Sequence, residues 1–494
     1  MNALLIYPKF PETYWSFRYA LSFQGKRAAQ PPLGLLTIGA LLPSDWDKRL
    51  IDTNVERLKD SDLAWADVAL ISGMHVQQQD LVAIVRRCHA LGLRTVVGGP
   101  ITSSLSAAEL EADHIVIGEA EDLIATLASD LASGTALPLY QATDRPAMEH
   151  SPLPDFSLIR MNRYSTMTVQ YSRGCPFNCE FCDIIEIYGR RPRTKPVAQV
   201  LAEFDRLYDA GWRGPVFIVD DNFIGNKPKV RVLLSAIVEW SAARGKPFRF
   251  ITEASLNLSD DPELLQMMKD ASFASVFLGI ETPDESSLLA TNKLQNTRRD
   301  LLESIAIIQN YGIEVMGGFI LGFDTDREDV FDRLVDFIQQ SAIPIAMVGL
   351  LQAMPGTQLF RRLSHEGRIL DSGGGNNTGC QLNFRPRMDP ARLVEGYRSV
   401  LNRIYSADAY YERVRLFLSR CNPQYQRNLN LGNVRAMVLS ILRQGVLGNA
   451  RADYWRFLLS ALTRYRRSFG TAMTLAVMGY HFQKVTQQLS KADS

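Results

Sequence analysis

The chain has 494 residues, enough for two or three domains with cores of their own, and its 22% charged residues sum to a net charge of only +1. That balance argues against a globally basic nucleic-acid binder. Six cysteines in so long a chain make no disulfide framework and indicate a reducing compartment.

Five short apolar runs open the sequence: ALLIY (3–7), RLIDT (49–53), DVALIS (67–72), RTVVGG (94–99) and HIVIGE (114–119). Stretches at helical spacing, such as DLVAIVRRCHALG, lie between them. Continuous apolar strands alternating with helices predict an α/β unit, a doubly wound parallel sheet over residues 1–140. Ligands of such sheets sit at the carboxyl ends of the strands. Here those ends read GMH, GGPITSS and GEAE, which are small, flexible or polar. Residues 141–165, which contain DRPAMEHSPLPDFSLI (144–159), read as a linker.

Over residues 166–360 the alternation resumes. Strands are expected at MTVQYS (167–172), PVFIVD (215–220), FRFITE (248–253), ASVFLGI (274–280), EVMGGFI (314–320) and IAMVGLL (345–351). Helices are expected at 196–210, 227–243, 261–270, 298–311 and 326–341. Six such repeats predict a partial (β/α)6 barrel, with its chemistry at the strands' carboxyl ends. Residues 361–494 begin with the flexible loop SGGGNNTG (372–379). Helical stretches follow at 389–405, 408–420, 432–445, 451–467 and 471–489, a helical C-terminal domain. The N-terminus MNALLIYPKF lacks the marks of a signal peptide. No run is long and apolar enough to span a membrane. A cytoplasmic location is therefore expected.

Directly after the strand MTVQYS, the stretch YSRGCPFNCEFCDI (171–184) holds Cys175, Cys179 and Cys182 in the spacing Cys-x3-Cys-x2-Cys. Thiolates suit zinc or iron–sulfur clusters. Structural zinc takes four ligands, so a zinc site would need a remote fourth one. A four-iron cluster on three thiolates keeps one iron open for a substrate or cofactor. In VDDNF (219–223), two adjacent acids beside a buried strand are costly unless paired or ligating.

The cysteine spacing, with Phe181 just before the last cysteine, resembles the radical S-adenosylmethionine (SAM) superfamily. That resemblance implies a 4Fe-4S cluster whose open iron binds SAM. The cluster then cleaves SAM to a 5′-deoxyadenosyl radical, chemistry that belongs to the cofactors. It further implies SAM contacts at Phe181, at Asp221 and Asn222 in VDDNF, and at Glu253 ending FRFITE. Gly279 and Glu281 in LGIET and Gly318 in GGFILGF complete that set. QAMPGT (352–357) resembles the superfamily's last-strand loop. Taken singly, each position reads equally well as a strand-end polar residue or turn glycine.

A doubly wound domain ahead of such a barrel resembles the cobalamin-binding subclass, with PPLGLL (31–36), GGP (98–100) and IGEAE (117–121) as its marks. Cobalamin contacts are then implied at Ser72, Gly73, Met74, His75, Gly98, Gly99, Pro100, Gly118 and Glu119. The chain departs from the subclass in lacking Asp-x-His-x-x-Gly, the motif that supplies a lower cobalt ligand. Of the nearby histidines, His75 in GMHVQQQ could approach the corrin, while His89 sits in a helix and His114 opens a strand. A lone histidine is more often hydrogen-bonded locally, and the domain could also serve only to pack against the barrel.

The segment RADYWRFLLSALTRYRRSFG (451–470) interleaves five arginines and one acid with Trp455, Phe457, Leu458, Leu459, Leu462 and Phe469. TAMTLAVMGYHF (471–482) carries no formal charge. Such stretches lie on membrane surfaces or form core helices with a solvated arginine face. SRGCPFNCEFCDIIEIYGRRPR, VDDNFIGN and ITEASLNL together resemble the bacterial group that contains the hopanoid C-2 methylases. The resemblance implies methylation of an unactivated carbon on a hydrophobic substrate such as a hopanoid lipid. It implies an external electron donor and a second SAM to remethylate cobalamin. Peripheral contact of the C-terminal domain with the inner membrane face is expected, and no nucleic acid. Tyr188 and the arginines of IYGRRPR have no assigned role. No Ser/His/Asp or Cys/His constellation is present, so no catalytic residue is assigned beyond the cofactors. Competing readings are a radical SAM cyclase or oxidase of a tetrapyrrole or other lipid-like substrate, and a cobalamin or iron–sulfur sensor. Methylthio transfer to tRNA would need a second cysteine trio, and the N-terminal domain has only Cys88.

Overall fold

The computed structural model describes residues 1–376, 378–421 and 431–490, so residue 377 of the loop at 372–379 lies outside the described residues. Its first layer is a wholly parallel six-stranded sheet of β1 (Asn2–Tyr7), β2 (Asp47–Asp52), β3 (Val68–Ser72), β4 (Arg94–Gly98), β5 (His114–Ile117) and β6 (Leu139–Gln141), in the order β2-β1-β3-β4-β5-β6. The apolar runs are continuous because both faces are covered. On β1, Ala3 and Leu5 pack with Leu35 and Leu36 of helix Leu33–Leu41. Leu4 and Ile6 pack with Leu81, Ile84 and Val85 of helix Gln78–His89. The sheet has one strand more than the five expected. β6 falls at the edge of the proline-rich segment and buries only Tyr140, so it left no apolar run to read.

The second unit starts with β7 (Met167–Val169), followed by the short antiparallel pair β8 (Ser172–Arg173) and β9 (Arg193–Thr194). Then come β10 (Pro215–Ile218), β11 (Arg249–Ala254), β12 (Phe273–Glu281), β13 (Glu314–Leu321) and β14 (Ile345–Leu350). The parallel order is β14-β13-β12-β11-β10-β7, with β14 and β7 as unpaired edges, so the barrel is partial. Along β11 and β13, buried residues alternate with partly exposed ones. Phe250 and Thr252 face the surrounding helices, whereas Ile251, Glu253, Met316 and Ile320 line an internal cavity. Two short helices, Ile184–Ile187 and Glu285–Ala290, were not among those expected, and helix Gln358–His365 follows the loop QAMPGT.

The last unit is helical: Pro390–Ile404, Ala407–Arg420, Leu431–Ser440 continuing through Ile441–Val446, Arg451–Thr463 and Phe469–Leu489. Its final helix returns to the start of the chain. Tyr14 meets Thr486 Oγ1 at 2.7 Å, and His481 Nε2 bonds the Tyr14 carbonyl at 2.9 Å. No helix among the described residues is long and apolar enough to cross a membrane.

The barrel's outer wall is anchored by Phe204, Trp240, Phe248, Phe250 and Phe273, with ring centroids 5.1–5.4 Å apart between several neighbours. Phe250→Ala is expected to cost about 3–5 kcal/mol by opening a cavity there. A lower urea midpoint, with unchanged near-neutral circular dichroism before unfolding, checks it.

Candidate functional site

The cysteine loop leaves β8 at Arg173, and every flank of it is tied down. Arg173 is almost wholly buried and pairs with Glu119 (2.5 Å) and Glu121 (2.8 Å) from the end of the N-terminal sheet. Arg193 of β9 reaches the other Glu119 oxygen at 2.5 Å. Burial pushes the Glu121 carboxyl up, but Arg173 pulls it below the ordinary range. Gly174 has φ +95°, and a Cβ there would stand 2.8 Å from the Gly189 carbonyl oxygen. Its N–H donates to Asp221 Oδ2 at 2.9 Å. Farther along, Glu180 N–H donates to the Thr291 carbonyl (2.9 Å), and the Glu180 carboxylate takes Arg362 at 2.5 Å.

The two adjacent acids after β10 serve this loop. Asp220 accepts from Tyr171 N–H (2.8 Å) and Ser172 Oγ (2.6 Å). Burial raises Asp220 to about 7 and Asp221 to about 6. Asn222 lies between Ser255 Oγ (3.2 Å) and Cys175 Sγ (3.9 Å), and Gln295 Nε2 is 3.7 Å from Cys179 Sγ. All six cysteines are free. Burial pushes the Cys175 and Cys182 thiols up, so cationic irons are what would favour their thiolates. Among the described residues no three Cys, His, Asp or Glu side chains converge on one ion. A trio of soft donors with amide donors beside two sulfurs fits a 4Fe-4S cluster.

The remaining sequence-predicted residues divide. Phe181 packs against Phe323 (centroids 6.1 Å) and lines the cavity. Glu253 also lines it, and no hydrogen bond shifts its carboxyl. Burial, then Asp221 and Asp220, raise its carboxyl to about 8. Glu281, by contrast, is no free acceptor: Lys293 holds it at 2.6 Å. Burial opposes the charge on Lys293, but Glu281 overrides it and the ammonium stays protonated. A Cβ on Gly279 would strike that pair, at 2.5 Å from Glu281 Oε1 and 2.9 Å from Lys293 Nζ. Gly318 gives room to the Phe277 ring, 2.8 Å from its own Cβ position, and Phe277 in turn meets Trp15 at 5.2 Å.

In the N-terminal unit, Met74, His75 and Pro100 reach the cavity. His75 is hydrogen-bonded at both ring nitrogens. Its Nδ1 meets Ser104 Oγ at 3.0 Å and its Nε2 the Gly373 carbonyl at 2.5 Å, clipping the glycine-rich loop to this domain. Glu119 is likewise spent on Arg173 and Arg193. Gly99 packs on Ser72 and Gly73, Gly98 near Val116 and Gly118 on Ala142, so Ser72 and these glycines bring strand ends close together. Lys293 and Arg362 escaped the sequence reading, since neither sits in a motif or near the cysteines in the chain.

The cavity itself measures about 1830 Å³. It runs from Phe181 and Glu253 down the barrel to its amino-terminal end at Arg249 and Glu314. The N-terminal sheet and helix Phe469–Leu489 also border it. Phe217, Ile251, Phe277, Met316, Ile345 and Met347 make its wall apolar within the barrel, whereas Lys9, Arg163, Arg213 and Arg435 are among the charged residues that line it elsewhere.

A partial barrel with this loop after its first strand defines a class, the radical SAM enzymes, which work through a 4Fe-4S cluster and SAM. The model of the Radical SAM superfamily matches residues 169–338, and that of a domain of unknown function (DUF4070) matches residues 357–494. An uncharacterized methyltransferase of Synechocystis is 41% identical over 489 residues, 98% of this chain and 91% of that one. The hopanoid C-2 methylase of Rhodopseudomonas palustris is 36% identical over 475 residues, 93% and 89% of the two chains. The chain belongs to the radical SAM methyltransferase family that these relatives represent. Its fold is shared with the cobalamin-dependent SAM radical enzyme OxsB: TM-score 0.63 at 15% identity, over 99% of this chain and 80% of that one.

Arg173→Met would leave the buried Glu121 without its cationic partner, while Arg193 still reaches both Glu119 oxygens. It is expected to destabilise the protein by about 3–5 kcal/mol, read in urea denaturation. Glu253 has a folded pKa raised from 4.5 to about 8, so the folded state binds the extra proton between those values. Stability of the cofactor-free protein therefore falls as pH rises through that window. Glu253→Gln is expected to flatten this part of the profile and to raise the melting temperature at its alkaline end.

Proposed function

We propose that the protein methylates an unactivated carbon of a hydrophobic, hopanoid-type lipid at C-2, with Cys175, Cys179 and Cys182 holding the cluster. The observation that carries this reading is the large cavity, which has the cysteine loop at one end and continues through the barrel along a stretch of apolar wall, with charged side chains such as Lys9, Arg249 and Glu314 elsewhere on its lining. When bound, the cluster and SAM supply a radical able to take hydrogen from an unactivated carbon, and cobalamin supplies the methyl group.

The chain's own residues have binding and shielding roles in this proposal. Asn222 and Gln295 direct amide N–H groups at Cys175 and Cys179. Glu253 offers a half-buried carboxyl to a donor on SAM, and Phe181 an aromatic wall. Lys293 keeps a positive charge beside the thiolates and is itself oriented by Glu281. Phe277, Met316 and Met347 exclude water from the reacting carbon. Met74 and Pro100 offer cobalamin an apolar edge across the cavity from the barrel; His75, already bonded at both nitrogens, is not proposed as a cobalt ligand. The 36% identical hopanoid C-2 methylase supports the substrate class.

The test is anaerobic reconstitution with the iron–sulfur cluster and cobalamin, then incubation with methyl-labelled SAM, a reductant and a hopanoid. Label in a C-2 methylated product together with 5′-deoxyadenosine is expected, and Cys179→Ala should abolish both. Formation of 5′-deoxyadenosine with unlabelled, cyclised or oxidised product would overturn methyl transfer. A labelled product from a different lipid would overturn only the hopanoid assignment.

A further inference from the structure

The C-terminal hairpin carries apolar residues on both sides. In helix Arg451–Thr463, Tyr454, Phe457, Leu458 and Ala461 are buried, as a core-facing stripe requires. Yet Trp455, Leu459 and Leu462 stand exposed on another face of the same helix. Its partner repeats the pattern: Val434, Val438, Leu442 and Val446 recur every fourth residue and are all exposed. The two stripes meet where the Trp455 indole donates to the Gly445 carbonyl at 2.9 Å. Leu447, in the turn between the helices, is 78% exposed. A helix apolar all round is normally buried, and a contiguous apolar face of this kind marks a docking surface.

Charge decides what docks there. Residues 432–468 carry seven arginines against the single acid Asp453. Arg443 turns inward to Ser22 Oγ (2.8 Å), and Arg456 pairs with Asp453. Arg451, Arg464, Arg466 and Arg467 remain exposed around the apolar face. An apolar centre with a rim of one sign matches the acyl boundary and anionic headgroups of a bilayer.

The location adds a second argument. Helix Leu431–Ser440 also borders the cavity, through Asn433 and Arg435, opposite Thr474, Leu475 and Met478 of the last helix. We infer that the hairpin of residues 432–463 docks on an anionic lipid bilayer and sets this border of the cavity beside it. The docking stands on the surface alone; that it delivers substrate rests on the lipid reading above.

Flotation of the full-length protein tests the docking without any activity measurement. One set of vesicles is phosphatidylcholine, the other phosphatidylcholine mixed with phosphatidylglycerol. The wild type is expected to float with the mixed vesicles and to be partly released by salt. Leu447→Glu combined with Leu459→Glu should lower the bound fraction about tenfold or more, with circular dichroism and melting temperature unchanged because both side chains face solvent. Combined Arg451→Glu, Arg464→Glu and Arg467→Glu should remove the preference for phosphatidylglycerol. Wild type that floats with neither vesicle, or a double leucine variant that floats as well as wild type, would overturn the proposal. So would a wild-type dimer in sedimentation equilibrium that the leucine variant dissolves, with no vesicle binding, since a second copy would then cover the face.

Discussion

The buried guanidinium of Arg173 is the contact on which the rest of the arrangement hangs. It stands two residues before Cys175, and its partners Glu119 and Glu121 come from the N-terminal sheet. Charges in such a dry setting are tolerated only when paired in good geometry, and removal of one partner leaves another unpaired. The network thereby locks the edge of the cysteine loop to the neighbouring domain. Arg193 adds a second cation on Glu119, and Gly174 allows the chain to turn tightly past Gly189. From the other side Arg362 holds Glu180, so the helix after the last strand grips the loop that follows the first. Where the barrel's two edge strands do not pair, this side-chain contact spans them.

A hollow interior follows from the barrel's alternation. Residues facing the helices are large and close-packed, around Phe204, Trp240 and Phe250, while inward residues such as Ile251, Met316 and Met347 line open space. A closed barrel fills that space with layers of side chains. Here the six strands stop short of closure, and segments from both ends of the chain border the gap. Trp15 against Phe277 and Tyr14 against the last helix join the chain's beginning to its end around one cavity. The three units thus enclose the cavity jointly.

Most strands could be read directly because each is buried on both faces or alternates strictly, and either pattern survives in a single sequence. β6 could not, as three residues with one buried tyrosine leave no periodicity. The cysteine trio was legible because its donors are close together in the chain. Lys293 was not, since its significance arises only when β12 brings Glu281 within 2.6 Å of it. His75, Glu119 and Glu281 show the converse. Each is a polar residue at a strand end and so looks like a ligand contact, yet each is already engaged, by Gly373, by two arginines and by Lys293. Sequence position identifies a polar group at the right end of a sheet but not which partner has taken it.

By itself, then, the sequence determined the strand-and-helix alternation, the soft-donor trio and the apolar, basic character of the C-terminal helices. These depend on local spacing and residue type, which a linear chain records. Only the tertiary structure decided that Arg173 ties the cysteine loop to the first domain, that His75 clips a loop, and that one cavity joins the barrel to the C-terminal helices. It also decided which face of each C-terminal helix is left outside. Those outcomes depend on pairings between residues far apart in the chain, and close approach in space is what makes a buried charge stable or an apolar face unpartnered.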